Sequence, residues 1–190
     1  MEAFAYRDRA YASSMSVGEA LLLRQLASEV LVVLDDPGDF ASTSSMVSAA
    51  TETEQRREAP RERSLGMLLP PMSDDDEDAA RMRALTEDLL RTEKSLRLRG
   101  IVSDLEHITH GEGDTLVIPD RSVWSWLGAL NDIRLGLAGE LGLRTQADAQ
   151  RIEELALSEA TGERTQQVAE IYVLITWWQD SLLEAVNNSH

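Results

Sequence analysis

The feature that most restricts the fold is a long apolar face, repeating at helical spacing, in the second half of the chain. It follows Asp120, a suitable helix cap, and stops at Gly142, which favours a left-handed turn. Its members are Val123, Trp126, Leu127, Leu130, Ile133, Leu137 and Leu141. Because residues three or four positions apart share one side of a helix, the pattern predicts a buried helix that other helices surround.

Four more helices are predicted. One starts at Ser16 and Glu19, a capping box in which each side chain can bond the other's backbone amide, and it ends at Pro37 and Gly38. Its two adjacent apolar stripes, which indicate a largely buried helix, are Leu22, Leu26, Val30 and Val33, and Leu23, Ala27, Leu31 and Leu34. A weaker helix is expected around Ile152, and the last helix carries an apolar face that includes Ile171, Tyr172, Ile175, Trp178 and Leu182.

The remaining predicted helix begins at an acidic run, residues 74–78, which suits the positive end of a helix dipole. Its helical period is carried by Met82, Leu85, Leu89 and Leu96. A break near Gly100 is expected, after which the pattern resumes through Ile108.

Short strands are predicted at the N-terminus, where Phe4 and Tyr6 alternate before a turn at Asp8 and Arg9, and at residues 115–118. The predicted fold class is therefore mainly α, with about five helices around one core and a small hairpin or three-strand sheet. Residues 39–63 are polar and cannot bury enough apolar surface to offset the entropy of ordering. The chain is expected to form one helical domain over residues 1–190, with a disordered insertion at about 39–63.

Charge and cysteine content restrict the function classes. The chain has 34 acidic and 18 basic residues, a net charge of −16, which disfavours nonspecific binding to nucleic acid or anionic membranes. It contains no cysteine, so disulfides and thiol-based sensing are excluded. The N-terminus lacks a signal-peptide core and no apolar run is long enough to span a membrane, so a cytoplasmic protein is expected.

Catalytic and metal-binding motifs receive little support. No nucleophile elbow, phosphate-binding glycine loop or His-Glu-x-x-His pair occurs, and no cofactor is expected. The acidic run has the spacing of the first calcium-loop ligands, but Ala79 and Leu85 stand where glycine and glutamate are needed. Asp104, His107 and His110 lie three positions apart and leave a metal site open as an alternative to a solvated helix end.

Two groups are candidates for an interface with another protein. A basic cluster contains Arg91, Arg97 and Arg99; the alternative is that these arginines pair with nearby acids, among them Glu87, along the helix. Two pairs of tryptophans lie close together in the sequence, 124 with 126 and 177 with 178, and the two side chains of one pair cannot both face one core. We therefore expect one of each pair at the surface, with Trp124 and Trp177 as interface anchors.

A polar motif interrupts the central helix at Asn131, Asp132 and Arg134. Buried polar groups need partners, since an unsatisfied one costs about 1–3 kcal/mol. A structural network is the favoured interpretation, with Arg134 held by a carboxylate, and contact with a ligand or partner is the alternative.

Several blocks are similar to an actinobacterial family of unknown function that is also described as the actinomycete oxidative stress regulator family. The strongest block runs from Trp126 to Leu135, and the others are residues 19–23 running on to 34–36, residues 68–70, Arg83 with Leu85 and Thr86 followed by Lys94, and Tyr172 with Gln179. Through this resemblance Arg83 and Lys94 join the polar motif. The resemblance implies a cytoplasmic regulator that associates with an alternative sigma factor and influences cysteine-biosynthesis genes.

Relatives are thought to sense oxidants through paired cysteines, which this chain lacks. We therefore expect a non-enzymatic protein, transcription-associated through a sigma factor or RNA polymerase, without thiol sensing. An adaptor or assembly partner in regulated proteolysis is the first alternative, and an enzyme or metal-binding protein is the second. The sequence leaves a homodimer open.

Overall fold

The computed structural model describes residues 2–35, 56–158 and 164–189. In these ranges the chain forms seven α-helices and a three-stranded antiparallel sheet, which confirms the predicted mainly helical class. The elements are β1 (Ala5–Arg7), β2 (Ala10–Ser14), α1 (Val17–Leu34), α2 (Arg63–Leu68), α3 (Asp76–Asp104), α4 (Glu106–Thr109), β3 (Thr115–Pro119), α5 (Val123–Leu141), α6 (Gln146–Ala156) and α7 (Arg164–Asn188). The five predicted helices are all present, α4 lies in the stretch where the helical pattern was expected to resume through Ile108, and α2 is an additional helix too short to show a clear apolar period.

The sheet has the order β1-β2-β3, with both neighbouring pairs antiparallel. Asp8 and Arg9 form the predicted hairpin turn with φ of 52° and 61°, the left-handed region that two-residue hairpins use. β3 adds to β2 with Tyr11 opposite Ile118, and both side chains are buried. Tyr6 donates to the carboxylate of Asp120 at 3.1 Å, and this hydrogen bond raises the pKa of the Tyr6 hydroxyl.

Helix α1 begins as the sequence predicted. The Ser16 hydroxyl accepts from the Glu19 amide, and the Glu19 carboxylate accepts from the Ser16 amide at 2.8 Å. Leu23, Leu26 and Val30 are buried on its inner side. The capping box therefore fixes where α1 starts, and its apolar face attaches it to the core.

Helix α5 lies at the centre and packs against α1, α2, α3 and α7. Trp126, Leu130 and Ile133 are buried, and the helix ends where Gly142 adopts a left-handed φ of 70°. Gly139 lets α2 approach closely, since a Cβ at that position would lie 2.5 Å from Cα of Ser64. The predicted central helix is therefore confirmed.

Two boundaries differ from the sequence predictions. α3 runs without a break through Gly100, because a single glycine weakens a helix by only about 1 kcal/mol, which packing can offset. Of the expected insertion, residues 39–55 lie outside the described residues, whereas residues 56–63 have defined contacts. Arg57 donates to Asp88 at 2.6 Å, and its amide donates to the carbonyl of Ala80 at 3.2 Å. An insertion extending to residue 63 is therefore too long at its C-terminal end.

Candidate interaction surface

Helix α3 is 29 residues long and starts in the acidic run. The carboxylate of Asp75 caps it by accepting from the amides of Glu77 at 3.0 Å and Asp78 at 2.9 Å. Acidic side chains at residues 76–78 occupy its first turn, where the helix dipole favours negative charge. The acidic run thus serves as a helix start, as predicted from its sequence.

The side of α3 with the regular apolar period faces solvent and not the core. Met82, Leu85, Leu89 and Leu96 are 47%, 75%, 63% and 61% exposed. We call these four side chains the leucine face. The side of α3 that faces the core instead carries Arg83, Glu87, Arg91, Ser95, Leu98 and Ile101. Assigning the leucine face to the core would therefore be wrong, because a period identifies an apolar side of a helix but not its direction.

The buried charges of α3 form a network around Glu87. Arg91 donates to the Glu87 carboxylate through Nε at 2.9 Å, and Arg83 lies 3.6 Å from its other oxygen. Arg57, from the segment before α2, contributes a third cation at 3.3 Å. One buried carboxylate thus compensates several cations, an arrangement that stabilises the fold only while every member stays paired.

The same arginines connect α3 to its neighbours. Arg91 donates to the carbonyl of Leu34, the last residue of α1, and Arg83 donates to the carbonyl of Leu69 at 3.0 Å, just after α2. Carbonyls at helix ends lack partners within their own helix, so both contacts satisfy groups that would otherwise be unpaired. The network therefore fixes the rotation of α3 about its axis and, with it, the outward direction of the leucine face.

A second buried carboxylate, Asp132 of α5, anchors the next part of α3. Asp132 is 1% exposed and accepts from Lys94 and, at 3.2 Å, from Arg97. Of the predicted polar motif, the structure therefore brings Lys94 and Asp132 together and places Arg83 in the separate Glu87 network. Arg134 donates to the side-chain oxygen of Asn131 at 3.2 Å. The prediction that a carboxylate holds Arg134 was therefore wrong. Arg134 lies about one helical turn after Asn131, so their side chains meet on the same side of α5. The Asp132 side chain points toward α3 instead.

The candidate interface residues divide between surface and interior. Trp124 and Trp177 are 67% and 43% exposed, while their neighbours Trp126 and Trp178 are buried, so each pair divides as predicted. Among the arginines, Arg91 is buried and cannot form an interface, which corrects the prediction. Arg97 is held by Asp132, and Arg99 lies at the surface with its guanidinium 3.2 Å from Asp35. The alternative interpretation was that the arginines pair with acids along the helix. It is correct for Arg91 and Glu87, although this ion pair is buried.

Glu87 is the residue whose importance the sequence did not reveal. Arg83, Glu87 and Arg91 are four positions apart, a spacing typical of ion pairs on a solvated helix face. The sequence contained one indication. The apolar residues of this helix alternate with these charged residues, so the helix has one apolar side and one charged side. The pattern alone therefore does not decide whether the apolar side or the charged side of α3 faces the core.

The residues proposed as an alternative metal site do not converge. The Asp104 carboxylate accepts from Nε1 of Trp126 at 2.8 Å, and Nδ1 of His107 lies 3.0 Å from the Asp104 carbonyl oxygen. Within the described residues, no group of three or more His, Asp or Glu side chains is arranged to hold a metal ion.

A groove of about 470 Å³ lies between α1, α2 and α5. Its walls include Val30, Leu68 and Leu137, and Arg164 bonds Glu140 at 2.9 Å on its rim. The groove is on a different part of the surface from the leucine face, which belongs to α3 alone. Among the described helices, none has an apolar stretch long enough to cross a bilayer.

Comparison with known proteins places the chain in a family without assigning an activity. Neither the curated proteins nor the solved structures give a match. A family model described as a domain of unknown function, DUF2017, matches residues 1–186. The chain therefore belongs to the DUF2017 family.

Proposed function

We propose that this chain is a non-enzymatic regulatory protein that acts by binding another protein through the leucine face. The observation that supports this function is the outward direction of four large apolar side chains on one long helix. A contiguous apolar patch on a protein surface is typical of an interaction site, because leaving it in water forgoes the free energy of burial.

The spacing of the leucine face fits a helical partner. Positions 82, 85, 89 and 96 follow the alternating three- and four-residue steps of a helix-pairing seam, with Thr92 at the intervening position. Asp88 and Glu93 are exposed beside the seam and supply the charged flank that such pairings use to select orientation. The surface is therefore suited to receive an amphipathic helix.

The partner class we propose is a component of the transcription machinery, a sigma factor or RNA polymerase, acting in an oxidative stress response. The family resemblance supports this class, and a net charge of −16 favours a partner with a basic surface. Since the chain has no cysteine, any thiol chemistry of that response belongs to another protein.

The test is retention of a defined partner on the immobilised protein. Extract of the source organism is passed over three proteins: wild type, the double variant Leu85→Glu with Leu89→Glu, and the matched control Leu21→Glu. Leu21 is 50% exposed on α1, so it controls for adding charge to an exposed leucine. Bound sigma factors and polymerase subunits are quantified by mass spectrometry.

Wild type and Leu21→Glu are expected to retain a sigma factor or polymerase subunit. The double variant is expected to retain at least roughly tenfold less, since burying a leucine contributes ~1.5–3 kcal/mol. Equal retention by the double variant would contradict the role of the leucine face. Absence of every sigma and polymerase subunit from the wild-type eluate would contradict the transcriptional role.

A further inference from the structure

We propose that a second copy of the same chain covers the leucine face, with the two α3 helices antiparallel across a two-fold axis near Leu89. This inference rests on the proposed docking role of the face and names its occupant. A dimer of this kind hides the apolar surface, so any other protein that uses the face binds only after the two copies separate.

The two ends of the apolar pattern are placed symmetrically about Leu89. Met82 precedes it by seven residues and Leu96 follows it by seven, two helical turns on either side. A two-fold axis near Leu89 therefore brings Met82 of each copy toward Leu96 of the other, with the two Leu89 side chains at the centre and Leu85 of each copy opposite Thr92 and Glu93 of the other. Two-fold interfaces require this self-complementarity, because every contact occurs twice.

The charges of α3 select the antiparallel orientation. Its first turn is acidic, with Glu77 and Asp78 side chains 54% and 63% exposed, and its far end carries Arg99, 59% exposed. Antiparallel helices bring the acidic first turn of one copy toward Arg99 of the other, a residue that also contacts Asp35 of its own chain, and oppose their dipoles. Parallel helices would place acid on acid, which is destabilising.

Salt screens most of the repulsion that the overall charge causes between two copies. Each copy carries a net charge of −16, but at physiological ionic strength charges more than about 8 Å apart are largely screened. The four side chains of the leucine face carry no charge, and the acids Asp88 and Glu93 lie beside them. The test is therefore carried out at about 0.15 M salt, where that screening length applies.

The first measurement is the mass in solution, by light scattering or sedimentation, over a range of protein concentrations. Wild type and Leu21→Glu are expected to have twice the chain mass of 21.1 kDa, and the Leu85→Glu, Leu89→Glu variant is expected to have 21.1 kDa. A monomeric wild type, or a dimer that survives the double substitution, would overturn the inference.

The second measurement determines orientation by cross-linking. The chain has no cysteine, so single variants Leu89→Cys, Asp76→Cys and Gly100→Cys each carry one thiol per copy. Asp76 and Gly100 lie 24 positions apart, roughly 36 Å along a helix. With a short bis-maleimide, Leu89→Cys is expected to cross-link to itself, whereas the end variants cross-link only when mixed. Self-cross-linking of both end variants would indicate parallel helices and overturn the proposal.

The two proposals fail in distinguishable ways. A monomeric wild type whose sigma factor or polymerase capture still depends on Leu85 and Leu89 would remove the second copy and leave the docking role intact. A monomer whose capture is unaffected by the double substitution would remove both.

Discussion

Replacing Glu87 by alanine is expected to lower the free energy of unfolding by about 3–5 kcal/mol, the usual cost of breaking a buried ion pair from one side. Without this carboxylate, the buried Arg83 and Arg91 lose their ion pairs with Glu87, whereas Arg57 keeps its ion pair with Asp88. The measurement is urea unfolding followed by tryptophan fluorescence, since Trp126 and Trp178 are buried.

Glu93→Ala is the matched control for that substitution, because it removes the same side chain from an exposed position of the same helix. It is expected to change the free energy of unfolding by no more than about 0.5 kcal/mol. A loss below about 1 kcal/mol for Glu87→Ala, similar to an exposed ion pair, would mean that the network is not buried.

Replacing Asp132 by asparagine is expected to cost about 2–4 kcal/mol of folding free energy, somewhat less than the full cost of breaking a buried pair. Asparagine keeps the shape but removes the charge that holds Lys94 and Arg97. The effect is smaller than at Glu87 because these two side chains are 12% and 31% exposed, so their charged ends can turn toward water.

Asn131→Ala serves as the control at the neighbouring position. It removes only the hydrogen bond to Arg134, so a loss of about 1 kcal/mol or less is expected. Equal losses for Asp132→Asn and Asn131→Ala in the same urea experiment would show that the buried charge contributes nothing beyond packing.

The sequence was sufficient where the determining interactions are local. The capping box at Ser16 and Glu19 and the left-handed Gly142 each act within one helical turn. The hairpin turn at Asp8 and Arg9 is likewise set by adjacent residues. These features predicted the helix and strand positions, and with the apolar period of α5 they predicted the helical class.

The candidate site was only partly predictable, because it depends on which side of α3 meets the core. Leu85 and Leu89 have the period of a buried face, and Arg83, Glu87 and Arg91 have the period of a solvated one. The carbonyls of Leu34 and Leu69 decide between the two sides, and both are distant in sequence from the arginines that reach them. No pattern within α3 contains that information.

The outward direction of α3 has a thermodynamic consequence. Leucines that stay in water contribute little to the stability of the single chain, so their apolar surface remains available for association. The charges that hold α3 in place then act indirectly on binding, by directing the leucine face away from the core. Stability and docking are thus assigned to opposite sides of one helix.

The unfolding free energy of Leu85→Glu tests this orientation most directly, measured by tryptophan fluorescence at a concentration at which light scattering shows both wild type and variant to be monomeric. The predicted change is within about 0.5 kcal/mol of wild type, as for a solvent-exposed position. A loss of about 2 kcal/mol or more would place Leu85 in the interior and contradict the inverted helix, since truncating a core leucine to alanine already costs about 2–5 kcal/mol.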